Sequence, residues 1–501
     1  WRNFPVVSNQ NWYHENVVLI GDAAHTAQFS IGSGTKIAME GAISLLKSIE
    51  EEGSISSALT KYQEKREIEI SRLQRSAMVS LQWYENARRY NDLTPPQYAF
   101  NFLSRSKSVT YENLKLRDVR YGREVNSWYA SLVRKEQGFD IPDDPAPPPM
   151  FTPYRLRDLV LQNRVVVSPM CQYSANDGTP TDWHLVHLGG FAVGGAGLVY
   201  AEMTNVSAAG RITPGCAGMY KPEHVEAWQR VTSFIHQNSR AKICMQLAHA
   251  GRKGSTKYPW HGEDEPLENG NWPLISASPL PYKEFNQVPK EMTRDDMDDV
   301  LDSFVRAARM AEEAEFDMIE IHMAHGYLLS SFISPVSNVR RDEYGGELVN
   351  RLKFPVEILK AVRSVWPNSK PISCRISATD WLDSGGLTGE DAVEVAKLLY
   401  ENGCDIIDVS TGQTTPQAKP IYGRMFQTHL SEQVRLEAKG PTIAVGNITS
   451  ADQVNTIVAA GRADLVALAR PHLTDPHFTL KAAAHYGYTP QFWPEQYLAG
   501  K

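Results

Sequence analysis

The stretch MTRDDMDDVLDSFVRAARMAEEAEFDMIEIHMAHGY, residues 292–327, holds the repeating pattern of this chain. In its first half Met297, Val300, Leu301, Phe304, Val305 and Ala308 recur every three or four positions, the spacing of the buried face of a helix. Thr293 stands before that run with Asp296 three residues on, so a capped helix start is expected there. The second half, 317–322, is an apolar run of strand length. It ends in a cluster of polar residues: His322, His325 and Tyr327.

Working outward, the same alternation of helix and short apolar run covers everything after residue 157. The runs are 164–170, 197–204, 242–248, 317–322, 372–377, 406–410, 442–445 and 465–468. Alternation of this kind builds parallel sheet, either an open doubly wound sheet or a closed (β/α)8 barrel. Eight runs in this length favour the barrel, so the expected fold class is α/β with a TIM barrel. Such a barrel collects its functional groups where the strands end. Polar or conformationally special residues fall at the predicted mouths of all eight: Ser168–Tyr173, Glu202–Thr204, Gln246 and His249, His322 to Tyr327, Arg375 carried by the fifth run itself, Ser410–Gly412, Gly446 and Asn447, and Arg470. An enzyme is the reading that this census supports.

Composition narrows the classes further. The net charge of −7 gives no reason to expect nucleic acid as a partner. No apolar run approaches the roughly 20 residues of a membrane span. The five cysteines are scattered without a CxxC pair, which argues against a disulfide framework and suits a cytoplasmic protein. No signal peptide is evident at the start, and a chain that begins at Trp1 reads as a piece of something longer. The prolines of 139–157 mark a semi-rigid linker between residues 1–138 and 158–501. Before the linker the chain looks mostly helical. Ile37, Ala38, Ala42, Leu45, Leu46 and Ile49 form an apolar stripe, a charged helix follows over about 58–90, and one strand stands near 16–20.

Chemistry is densest at 320–335. Two neutral imidazoles, His322 and His325, can donate to a carbonyl or oxyanion, and Tyr327 can deliver a proton. A metal site and a pair of structural histidines remain alternative readings. Arg375, inside an apolar strand, needs an anionic partner, and a reduced flavin ring would be one. Gly446 and Arg470 sit where barrels commonly hold phosphate, although Arg470 also reads as a salt-bridge partner. Cys171 is open between nucleophile, core thiol and cofactor contact.

With these residues in view, 151–497 resembles the old yellow enzyme family of FMN-dependent ene-reductases, in its thermophilic-type branch. The carriers are VVVSPMCQYSANDGTPTDWHLVH (165–187), QLAHAGRK (246–253), EIHMAHGYLLSSFISPVSNVRRDEYGGELVNR (320–351), CRISATDW (374–381), IDVSTG (407–412), AVGNIT (444–449) and GRADLVALAR (461–470). The resemblance implies FMN at the barrel mouth, reduced by NADH or NADPH. Ser168, Pro169, Met170, Cys171 and Met203 would contact the flavin ring, and Gln246 and Arg375 its pyrimidine edge. Ser410, Gly412, Gly446, Ala469 and Arg470 would lie by the ribityl chain and phosphate. His322 and His325 would bind the substrate carbonyl, Tyr327 would donate the proton, and Tyr173 would reach the substrate. Ala469 stands where the family commonly has Gly, and Ala499 where relatives place an arginine that enters a neighbouring subunit. A homo-oligomer is therefore left open.

Residues 1–138 resemble a different family, the C-terminal part of FAD-dependent aromatic-ring hydroxylases. GDAAH (21–25) is that family's motif, with Asp22 toward the FAD ribityl chain, and GSGTK (32–36) opens a helix near the flavin. The family's GxGxxG fingerprint does not occur in this stretch, so FAD is expected only in a complete fusion. The pairing of the two parts resembles two-part hydroxylase/reductases of aromatic CoA thioesters. It implies a small-molecule substrate derived from an aromatic acyl-CoA.

Overall fold

All eight apolar runs become strands: β1 (Val165–Val167), β2 (Leu198–Asn205), β3 (Lys242–Ala248), β4 (Met318–Met323), β5 (Ile372–Ser377), β6 (Ile406–Ser410), β7 (Thr442–Ala444) and β8 (Leu465–Leu468). Each pairs in parallel with its neighbour in the chain, and β8 pairs with β1, so the sheet closes into a barrel. Closure removes both sheet edges. The computed structural model describes residues 5–501, and contacts divide the chain into two compact units, Trp1–Arg117 and Asp118–Lys501.

Period-two alternation sorts each strand onto two faces. Val167, Val199, Ile243, Ile319, Cys374 and Ile407 pack outward against the helices. Val166, Leu198, Cys244, Met318, Ile406, Ile443 and Leu465 fill the interior, together with the antiparallel hairpin Tyr154–Leu156 and Leu159–Leu161. That hairpin supplies Leu156 and Leu161 to the interior cluster, so the barrel is a packed core and not a channel.

The helix Arg294–Glu313 starts as its cap signal predicts. Thr293 accepts from the Asp296 backbone, and the Asp296 carboxylate accepts from the Thr293 backbone N–H at 2.8 Å. Its buried face is Met297, Val300, Phe304, Ala307, Ala308 and Ala311, while Leu301 and Val305 are only half-buried. The face is thus turned slightly from the predicted one, toward the small alanines that let the helix approach the sheet.

Contacts place the division between units at Arg117/Asp118, earlier than the composition boundary at 138. The helix Val119–Gln137, capped by Asp118 and closed by Gly138 in a left-handed turn, buries Tyr129, Ala130 and Val133 with Val454, Ile457 and Val466 of the barrel unit. The proline-rich segment does not run free either. Pro147 to Thr152 are buried, the Met150 N–H donates to Asn455 Oδ1 at 2.9 Å, and Met150 O accepts from Arg164 N–H at 2.8 Å. Apolar residues among the prolines draw this stretch onto the barrel.

In the first unit the predicted strand is a minimal hairpin, Tyr13–His14 with Val17–Val18. Helices Gly34–Glu51 and Ile55–Glu85 follow, and Trp12, Ala24, Ile37, Tyr62 and Ile70 form its core. The expected stripe is corrected in part. Ile37, Gly41 and Ser48 are buried, whereas Ala42, Leu46 and Ile49 are exposed, because the second helix packs on the Gly41 side, where no side chain keeps it away. Asp22 lies exposed in the short 3-10 turn Gly21–Ala23 of this unit.

Candidate active site

The C-terminal ends of β5 to β8 open onto a cavity of about 840 Å³. His325, Arg375, Ser410, Gly412, Gly446, Ala469 and Arg470 all line it, so seven of the residues singled out from sequence meet in one place. Across the mouth, Cys171, Tyr173 and Tyr327 pack on the apolar cluster of Met203, Ile212, Cys216, Ala248 and Ala250. Ser168 is buried, and its Oγ lies 3.5 Å from Arg375 Nη1. Pro169 and Met170 are half-buried, with Met170 against the outer core. Asp22 belongs to the first unit, Trp1–Arg117.

The histidines and the tyrosine form a tight group. His322 meets the His325 ring at 5.1 Å and the Tyr327 ring at 5.1 Å, both edge-on. His322 Nδ1 accepts the Ala324 N–H at 3.2 Å, which leaves the proton on Nε2. His325 Nε2 lies 2.8 Å from Ser410 Oγ, and its backbone N–H donates to Ser377 Oγ at 2.9 Å. Burial, reinforced by Arg375, holds both imidazoles well below the usual range, so both are neutral at pH 7. Neutral imidazoles donate without bringing a full charge to the site. Burial, with Cys171 second, keeps the Tyr327 phenol protonated. Among the described residues no third His, Cys, Asp or Glu completes a metal site beside the pair.

Burial, then Glu202, pushes the Cys171 thiol well up. A nucleophilic cysteine needs the opposite shift. Glu202 instead organises the loop after β1. Its carboxylate accepts from Gln172 N–H at 2.9 Å and from His184 Nε2–H at 2.7 Å, while His184 Nδ1 accepts the Thr181 N–H at 3.0 Å. Glu202 lies in the register irregularity of β2 against β3 between Tyr200 and Met203.

Beneath the mouth lies a polar layer that the sequence reading did not assemble. Gln246 Nε2 donates to Glu320 Oε1 at 2.8 Å, Ser373 Oγ donates to Glu320 Oε2 at 2.9 Å, and Tyr200 Oη lies 3.2 Å from Ser373 Oγ. Arg375 Nε is 3.4 Å from Asp408 Oδ2. The β5–β6 register sets Asp408 directly beside Arg375, so the protein supplies a counter-charge of its own. The Nε–H of Arg375 is buried without a good hydrogen bond. A signal for this layer was present, since Glu320 is two positions from His322 and must share its face of the strand.

Backbone strain concentrates at the same rim. Tyr173, His325, Trp381, Gln413 and Asn447 follow β1, β4, β5, β6 and β7, and all adopt positive φ between 49° and 63°. Left-handed backbone at non-glycine residues is costly and collects at functional sites. Gly446 has φ 114°, and a Cβ there would come within 2.5 Å of the Gln427 side chain. Arg470 is exposed at the rim, and the carboxylates of Asp464 and Asp475 pair with Arg435 and Lys481.

Residues 149–487 match the NADH:flavin oxidoreductase / NADH oxidase family. The chain belongs to this family. It is 43% identical over 342 residues to an NADPH dehydrogenase of Geobacillus sp. (strain WCH70), covering 68% of this chain and 95% of that one. It is 39% identical to NADH:flavin oxidoreductase FG08077 of Gibberella zeae, covering 62% of this chain and 80% of that one. Morphinone reductase is similar in structure, with TM-score 0.57 and 25% identity over 68% of this chain and 90% of its own. 2-Naphthoyl-CoA reductase shares the fold with TM-score 0.61 at 23% identity, and this chain spans about half of it, 52%. The protein is accordingly an FMN-dependent NAD(P)H oxidoreductase of the old yellow enzyme type. Among the described residues no helix is long and apolar enough to cross a membrane.

Proposed function

We propose that the barrel reduces an activated carbon–carbon double bond, conjugated to a carbonyl, of a dearomatised and hydroxylated aromatic acyl-CoA. The observation that carries the reading is the neutral His322–His325 pair beside a protonated Tyr327, at the mouth of a cavity large enough for a flavin. FMN, when bound, supplies a two-electron carrier that accepts hydride from NAD(P)H and gives it to carbon.

The residues present suit that group. Arg375 lines the cavity with Nη1 beside Ser168, and Gln246 is held from below by Glu320. Both would meet the polar edge of the ring, with Ser168, Pro169, Met170, Cys171 and Met203 against its face and rim. Ser410, Gly412, Gly446, Ala469 and Arg470 would hold the ribityl chain and phosphate. The backbone at Gly446 lies open because no side chain fits there. His322 and His325 donate to the substrate carbonyl, which draws negative charge onto its oxygen as carbon is reduced. Tyr327 Oη–H gives the proton to the α-carbon. Tyr173 closes the apolar side and keeps water from the reacting carbon.

The acyl-CoA part of the reading rests on GDAAH and GSGTK in the first unit and their resemblance to aromatic hydroxylases. In this reading residues 1–138 are the C-terminal part of such an enzyme, as in the two-part arrangement that 2-aminobenzoyl-CoA monooxygenase/reductase exemplifies, and Asp22 serves FAD only in the complete fusion. The test is anaerobic. The purified protein should release FMN on denaturation, bleach with NADH or NADPH, and reoxidise with a cyclohexadienone acyl-CoA at a higher kcat/KM than with 2-cyclohexenone. Absence of FMN, or no preference for the acyl-CoA, overturns the corresponding part.

A further inference from the structure

The short 3-10 turn Gly251–Lys253 follows β3 and carries two buried cations, Arg252 and Lys253. Both reach carbonyl oxygens of other mouth loops. Arg252 donates to Thr414 O, and its Nη1 lies 3.4 Å from Leu280 O. Lys253 Nζ donates to His325 O at 3.2 Å and to Gln413 O at 3.3 Å. It also stands over two ring faces, 4.3 Å from the centre of Tyr282 and 5.3 Å from that of Tyr327. Burial holds this lysine down to about 8, so at neutral pH it is still mostly charged.

The two residues it holds are both strained. His325 has φ 63° after β4, and Gln413 has φ 60° after β6. Their backbones abut: a Cβ on Gly326 would come within 2.7 Å of Gln413 O. Two carbonyl oxygens turned toward one point repel each other unless a cation stands between them, and Lys253 Nζ stands there. On its other side His325 donates its N–H to Ser377 Oγ at 2.9 Å, and Ser377 Oγ donates to Gly412 O at 3.0 Å. Both peptide groups of His325 are thus tied to the loop after β6. Its ring is left at the mouth, with Nε2 2.8 Å from Ser410 Oγ.

We propose that Lys253 is the positioning residue of the carbonyl-binding pair: its ammonium clamps the left-handed turns at His325 and Gln413 together and so holds the His325 ring where the substrate carbonyl arrives. The inference rests on the reading of His322 and His325 as carbonyl donors. A side chain without donors at 253 would leave two facing carbonyl oxygens unpaired, and the direct relief is for His325 to leave its strained conformation. The charge also acts on the rings. Burial, then Arg375, and Lys253 with them, hold both imidazoles neutral. The groups that face Lys253 are Arg252 beside it, His322, His325 and Tyr327 after β4, and Glu263, Asp264, Tyr282 and Lys283 of the long loop after β3. Asp264 is paired with Lys283 at 3.0 Å. Burial pushes Tyr282 up to about 12 and Tyr327 well up, and it holds Arg252 down to about 10 and the two histidines well below 6.5. None of these five changes charge near the value of about 8 at which Lys253 does.

The experiment titrates the oxidised, FMN-loaded protein with 2-cyclohexenone, read by the change in flavin absorption, at a series of pH values on both sides of about 8. In the wild type Kd should rise as pH passes up through about 8, because charge-assisted bonds to the two carbonyls become ordinary ones. Lys253→Met should bind the enone at least about tenfold more weakly at neutral pH, with its FMN content unchanged and no step near pH 8. Lys253→Arg keeps donors and charge, so it too should show no step there. A wild type whose Kd does not change through that range, or Lys253→Met with the wild-type Kd, overturns the proposal. If Lys253→Met does not fold or loses FMN, the wild-type and Lys253→Arg profiles decide, and a step that persists in Lys253→Arg overturns it. Wild type that holds FMN but gives no response to 2-cyclohexenone at any pH would instead refute the carbonyl-binding reading itself.

Discussion

Tyr327 illustrates how burial prepares a single side chain. An apolar setting of Met203, Cys216 and Ala248 with Cys171 and Tyr173 keeps its phenol protonated. A positioned acid contributes about 10²- to 10⁴-fold. Tyr327→Phe should therefore slow alkene reduction by at least about 10²-fold and leave flavin bleaching by NADPH nearly unchanged, which stopped-flow measurement of the two half-reactions separates. The histidines give a pH prediction. Their folded-state values are lowered by burial, so they charge only in acid well below the ordinary 6.5. The alkene half-reaction of the wild type should show no histidine ionisation near pH 6.5; a step there would contradict neutral donors. Cys171 was open by spacing, and only its surroundings, burial first and Glu202 second, show that its thiol is pushed up.

Among elements, the segments after β7 and before Arg294–Glu313 depend most on single residues. The backbone at Gly446 occupies a region that only glycine enters cheaply, against the Gln427 side chain. Gly446→Ala should weaken FMN binding by about tenfold or more, equivalent to at least ~1.4 kcal/mol of strain, read by fluorescence titration of the apoprotein. The Thr293 cap is a local device, so Thr293→Ala should cost about 1 kcal/mol in urea unfolding without changing FMN affinity. The helix and its cap were legible because both depend on residues close in sequence. The stripe Ile37 to Ile49 was only half legible, because which face of a helix is buried depends on its partner, and the partner packs at Gly41.

The whole molecule carries buried neutral histidines whose cost appears in acid. Burial holds His249, in the mouth after β3, down to about 4. Between about 4 and the unfolded value of 6.5 the unfolded chain binds the extra proton, so stability falls as pH drops through 6.5 and levels off below about 4. This one group accounts for up to about 3 kcal/mol. Urea midpoints measured from pH 7 to 4 should fall, and His249→Gln should flatten the fall. Eight alternating units, their strand positions and the polar residues at their ends are written in the sequence itself, because period and composition are local properties. Closure of the barrel, the pairing of Arg375 with Asp408, the convergence of Gln246, Ser373 and Tyr200 around Glu320, and the left-handed rim were decided only in three dimensions. They join residues from different strands, and which of those meet is set by strand register and by the closing of the ring.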